Sequence, residues 1–154
     1  MVSPGNPLKP AAGMASAPAR LKSAQSIADG RRVVATDIET RLGTRFTADT
    51  LRKLRTRFPC ARFIWLMGAD NLVQLPRWRH WQRIVATLPF AVLPRPTYNH
   101  RALAGRAAQR LRPARLSARH AAILSGLAAP HWIFLPTRQH AASATQIGLA
   151  GHFS

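Results

Sequence analysis

The sequence predicts an α/β fold built on a parallel sheet. Three short, largely apolar runs carry that prediction: Phe63-Ile64-Trp65-Leu66-Met67, Phe90-Ala91-Val92-Leu93 and His131-Trp132-Ile133-Phe134-Leu135. Each is continuous rather than alternating, the pattern of a strand buried on both faces. Stretches with helical spacing lie between them, and strand–helix alternation of this kind gives a Rossmann-like sheet. At 154 residues the chain is long enough for one core and too short for two. Residues 1–154 are therefore expected to form a single domain.

In chain order, Ser3-Pro4-Gly5-Asn6-Pro7 is turn chemistry continued by Lys9-Pro10, because the prolines and the glycine exclude helix. Leu21, Ala24 and Ile27 stand at three-residue steps and predict a helix over 17–28, closed by Asp29-Gly30 with the glycine as C-cap. The β-branched content of 32–38 predicts a strand. Thr47, followed by Asp49, reads as the N-cap of a helix that Pro59 halts near Phe58. The strand at 63–67 gives way abruptly to Gly68-Ala69-Asp70-Asn71. A short helix over 81–87 precedes the strand at 90–93, which ends at Pro94-Arg95-Pro96. Leu103, Ala107 and Leu111 predict a helix over 101–116, weakened by Gly105 and stopped by Pro113. Residues 117–130 carry little pattern. After the last strand at 131–135, Ser143-Ala144-Thr145 offers another helix start. No repeat shows at any fixed period.

The charge balance is the unusual feature. Twenty arginines and three lysines face five acids, for a net charge of +18, and no acid follows Asp70. Such a field attracts polyanions, whether a nucleoside triphosphate or a nucleic acid. The bland alternative, arginine used freely as a solvated surface residue, carries more weight, because the basic residues are scattered and no nucleic-acid fold signature is present. No window approaches eighteen uninterrupted apolar residues, which argues against a membrane span, and the N-terminus lacks the layout of a signal peptide. Cys60 is the only cysteine, so no internal disulfide forms, and a reducing, cytoplasmic setting is the simple reading. The six histidines, His80, His100, His120, His131, His140 and His152, fail as metal ligands on spacing.

Chemistry concentrates just past the central strand. Open α/β sheets seat ligands beyond the carboxyl ends of their strands, and Asp70 stands there behind a glycine that permits close approach. A carboxylate, a bare glycine and the flat faces of Trp78 and Trp81 suit a ring-bearing, hydroxylated ligand. Each residue also has a plainer reading. Asp70 could cap the following helix, the two tryptophans could be packing residues, and Lys9 could be a solvated loop lysine.

The spaced residues Gly68, Asp70, Pro76 and Trp78, in the pattern strand, Met-Gly-x-Asp, then Pro-x-Trp, resemble those of bacterial nicotinate-nucleotide adenylyltransferases. The likeness extends more thinly from about Val2 to Ala150. It implies a nucleotidyltransferase-type fold and adenylyl transfer from ATP, with Mg²⁺, to nicotinate mononucleotide in NAD biosynthesis. In that family Phe46-Thr47-Ala48-Asp49-Thr50-Leu51 sets a helix start, with Thr47, beside the nicotinate ring. Asp70 would accept hydrogen bonds from ribose hydroxyls at Gly68, and Trp78 would stack on the pyridine. For Trp81 the packing reading stands. Lys9, Ser143 and Thr145 would meet the phosphates, the last two in a Ser-x-Thr-x-Ile motif whose following arginine is here Gly148.

The family's opening His-x-Gly-His motif has no counterpart, so no catalytic residue is assigned. The expectation is a chain lacking the first strand and helix, with impaired turnover and poor solubility from an exposed sheet edge. The partners implied are small molecules, with neither a membrane nor a nucleic acid. Two rivals stay open: a non-catalytic remnant, and a small basic nucleic-acid-binding protein. A salt titration of nucleic-acid binding separates the latter.

Overall fold

The computed structural model describes residues 1–2 and 15–137. These divide into two compact units, one reaching to Arg45 and the other beginning at Phe46.

In the first unit, helix α1 spans Ala17–Ile27. Ser16 caps it, its Oγ accepting the Ala19 amide at 3.3 Å, and Pro18 fits the first turn, where no amide partner is needed. The expected glycine C-cap is displaced: Ala28 turns extended and ends the helix, while Gly30 takes the left-handed φ of 69° two residues later.

The expected strand at 32–38 does not form. Asp29 Oδ1 accepts the amides of Arg31 at 3.0 Å, and of Arg32 and Val33 at 2.8 Å each. Those are the donors a strand would have spent on a ladder, so local side-chain bonding overrides β-branched propensity. Val33 and Val34 are left exposed, and Ile38–Arg41 instead forms a short helix, α2, with an Asp37–Arg41 ion pair at 2.7 Å.

The three amide bonds, Val33's foremost and then Arg31's, hold the Asp29 carboxyl below its ordinary value. A carboxylate lowered in this way stabilises its turn fully above the unfolded value, and that contribution fades as pH falls through the folded one. The amide signals of Arg31, Arg32 and Val33 are therefore expected to stay put from neutral pH down to the ordinary aspartate range. They should move together below it, a transition that Asp29→Ala abolishes in an NMR titration.

The second unit holds a parallel sheet of four strands, β1 (Trp65–Gly68), β2 (Phe90–Leu93), β3 (Arg115–Leu116) and β4 (Trp132–Phe134), in the order β1-β2-β4-β3. The α/β parallel architecture is the one the sequence predicts. Phe90, Val92 and Trp132 face one layer of core with Leu72, Leu75 and Ile84, while Ala91 and Ile133 face the other with Leu124. The period of two along each strand sorts them, and apolar cover on both faces explains the continuous runs of β2 and β4. β1, at the edge of the described sheet, departs from that expectation: Met67 is buried but Leu66 is 59% exposed. Phe90 and Trp132, partners in register, stack with centroids 5.5 Å apart and planes 7° from parallel.

Helix α3 (Thr47–Arg57) precedes β1, α4 (Ala69–Gln74) and α5 (Trp81–Thr87) lie between β1 and β2, and α6 (Asn99–Ala104) and α7 (Arg106–Arg110) lie between β2 and β3. Trp81 is a buried core residue of α5, as the packing reading has it. The single helix expected over 101–116 is broken. Gly105 turns extended between α6 and α7, and a Cβ there would meet the Arg101 carbonyl at 2.9 Å. Pro113 then sits in a 3-10 turn over Arg112–Ala114, which leads Leu116 into β3. The weakly patterned 117–130 contains a 3-10 run, Ala118–Gly126, whose Leu124 is buried.

Candidate functional site

Register explains why an acid and a base meet at one end of the sheet. Gly68 pairs with Leu93, so Asp70 and Arg95 each stand two residues past the paired ends of β1 and β2. Arg95 Nε lies 3.8 Å from Asp70 Oδ1. The Arg95 backbone is pinned in turn, its amide donating to Asn99 Oδ1 at 2.8 Å. Sequence reasoning did not single out Arg95. The signal that could have found it is the one that found Asp70: a charged side chain directly after a buried strand's carboxyl end.

The helix-cap reading of Asp70 fails. Gly68, with extended backbone, occupies the N-cap position of α4, and Asp70 lies inside the first turn with no capping bond. Its Oδ1 is buried without a hydrogen-bond partner, and Arg95 stands beyond hydrogen-bond reach. Buried polar atoms are nearly always satisfied by protein or ordered water, so an oxygen without a protein partner is open to a donor from solvent or from a ligand. Gly68 makes the room: a Cβ on it would collide with Asp70 Oδ1 and come within 3.2 Å of Arg95 Nε.

Trp78 follows a 3-10 turn over Leu75–Arg77. Its indole leans on Trp65, the first residue of β1, with centroids 5.9 Å apart and planes at 55°. The ring thus packs toward the start of β1, whereas Asp70 stands past its end. Trp78 Nε1 is a second buried polar atom with no hydrogen-bond partner.

Thr47 is not the cap that its spacing suggests. Phe46 is the N-cap of α3 and Thr47 is the first helical residue, with no side-chain bond to the helix start. The Phe46 carbonyl accepts the Asp49 and Thr50 amides and the Thr50 hydroxyl, the last at 3.2 Å. The helix start thus carries no side-chain cap, and it is joined to the Trp78 loop by the Arg79 guanidinium, 4.9 Å from the centre of the Phe46 ring. Gly68 and Asp70 are in contact, and Thr47 and Trp78 each adjoin one member of that Phe46–Arg79 pair. Lys9, Ser143 and Thr145, the expected phosphate contacts, lie outside the described residues.

The described residues do not suit a resident Mg²⁺. No three of His, Cys, Asp and Glu converge among them, and the one carboxylate at the site faces a guanidinium. None of the helices among them is long and apolar enough to cross a membrane.

A family model described as cytidylyltransferase-like matches residues 1–148. The chain is similar to a protein of Gluconacetobacter diazotrophicus, 59% identical over 147 residues, which are 96% of this chain and 68% of the relative. A relative in Gluconobacter oxydans is 53% identical over 99% of this chain and 78% of its own length. One in Parvibaculum lavamentivorans is 51% identical over 100% and 77%. Each of the three is named "Probable nicotinate-nucleotide adenylyltransferase".

Proposed function

Because the chain belongs to the nicotinate-nucleotide adenylyltransferases of the cytidylyltransferase-like family, we propose that it joins the adenylyl group of ATP to nicotinate mononucleotide. A phosphate oxygen of the mononucleotide attacks the α-phosphorus of ATP, the new phosphoanhydride forms, and the bond to the β-phosphate breaks to release pyrophosphate. Such chemistry rests on positioning and charge rather than on a covalent enzyme intermediate. Mg²⁺ arrives as part of the ATP substrate, and the reaction belongs to NAD biosynthesis in the cytoplasm.

The observation that supports the reading best is Asp70, a carboxylate just past β1 whose Oδ1 is buried and unbonded, beside a bare Gly68. On this reading Asp70 accepts hydrogen bonds from the ribose hydroxyls. Trp78 exchanges its packing on Trp65 for stacking on the pyridine ring. The uncapped start of α3 at Thr47 offers amides and partial positive charge to the ring carboxylate. Lys9, Ser143 and Thr145 are assigned to the phosphates.

Incubating the purified chain with Mg²⁺–ATP and nicotinate mononucleotide is expected to yield nicotinate adenine dinucleotide and pyrophosphate in equal amounts. A folded chain that binds the mononucleotide yet forms no dinucleotide would overturn the catalytic part of the proposal.

Gly68→Ala separates site from fold. Its backbone φ of −79° suits alanine, and the atoms its Cβ would meet, Asp70 Oδ1 and the Nε and Cγ of Arg95, all belong to side chains and none to backbone. The melting temperature should barely change, because Asp70 and Arg95 can swing aside. Mononucleotide affinity should fall about tenfold, the equivalent of about 1.4 kcal/mol. Calorimetric titration beside a thermal melt checks both halves.

A further inference from the structure

A cleft of about 370 Å³ opens at the amino end of the sheet, far from Asp70 in topological terms. Phe63, Pro89 and Ala129, which precede β1, β2 and β4, all line it. Because the strands are parallel, this is the end opposite the candidate active site. Its volume lies within the range of small-molecule sites, roughly 300–1,000 Å³.

The walls have a definite character. Arg55 and Arg62 line the cleft, and none of the chain's five acids does. Arg55 is held at the rim by an Nη1 hydrogen bond to the Thr87 carbonyl at 3.0 Å, which leaves its other N–H groups free to face an anion. The exposed Arg62 guanidinium has neither a hydrogen bond nor an ion pair among the described residues, and its Nη1 lies 3.9 Å from where a Gly126 Cβ would be. Phe58 and Phe63 meet edge to face, centroids 6.3 Å apart, and Phe58 is 44% exposed. Two guanidiniums beside an uncovered aromatic ring offer a fork for phosphate oxygens and an apolar face for a flat base.

We propose that this cleft is a second binding site, for a nucleoside monophosphate, with Arg62 and Arg55 on the phosphate and Phe58 against the base. The site does not depend on the catalytic reading above, because no residue is shared between them.

The test is a titration of the isotope-labelled full chain with guanosine monophosphate, followed by amide NMR. Signals of Phe63, Ser125 and Gly126 should shift saturably while Gly68 and Ala69 stay in place. Arg62→Glu, an exposed substitution, should weaken binding about tenfold or more, and Phe58→Ser should weaken it too, with a modest drop in the melt from the lost edge contact with Phe63. Inorganic phosphate alone should bind about tenfold more weakly than the nucleotide. The proposal falls if no saturable shift appears in the millimolar range, or if shifts cluster at Gly68 and Ala69. It also falls if Arg62→Glu binds as before, or if phosphate binds as tightly as the nucleotide.

Discussion

Trp132→Ala is expected to destabilise the chain by about 3–5 kcal/mol, the range for emptying a large aromatic site in a packed core. The side chain is fully buried, stacks on Phe90, and donates its Nε1 hydrogen bond to the Leu111 carbonyl at 2.9 Å. The Arg115 guanidinium closes over its ring at 5.4 Å. Alanine would therefore leave a cavity between the sheet and α7, and a buried carbonyl without its donor. For a chain of this size the melting temperature should drop by roughly 10 °C or more. Trp132→Phe keeps most of the apolar volume and loses the hydrogen bond, so it should cost about 1–3 kcal/mol. Urea denaturation of the two variants orders them, and an alanine variant melting within a degree or two of the parent would contradict the stacked core described above.

Asp70→Asn should lower kcat/KM for nicotinate mononucleotide by about 10- to 100-fold. The substitution keeps the shape of the side chain and removes its charge, and a hydrogen bond to a charged group is worth about 1.5–3 kcal/mol. KM for ATP should change little if Asp70 acts on the ribose of the mononucleotide. Stability should also change little. The Arg95 pair spans 3.8 Å, with the arginine half exposed, and pairs of that kind contribute about 0–1 kcal/mol. A variant whose kcat/KM stays within about twofold of the parent removes Asp70 from the site.

Much of the architecture is legible in the sequence where one local signal acts unopposed. The runs ending at Met67, Leu93 and Leu135 mark strands β1, β2 and β4, because a short continuous apolar segment has few places to go other than a sheet, even where, as at Leu66, one face stays exposed. Pro59 ends α3 near Phe58, as its missing backbone donor dictates. Local pattern misleads where a neighbour competes for the same backbone group. At 32–38 the Asp29 carboxylate takes three amides that propensity would have assigned to a ladder. At 47 the Phe46 carbonyl takes the Asp49 and Thr50 amides that a Thr47 cap would have accepted, and the helix starts one residue earlier, uncapped by Thr47.

By itself the sequence determined the α/β class, the place of Gly68 and Asp70 just past an apolar strand, and the excess of arginine over acid. Only the tertiary structure decided that Arg95 faces Asp70, that Trp78 packs on Trp65, and that Phe90 stacks on Trp132. The reason is physical. A strand's burial and a turn's geometry follow from residues a few positions apart. A contact between neighbouring parallel strands depends on their order and register, which the packing of the whole sheet selects.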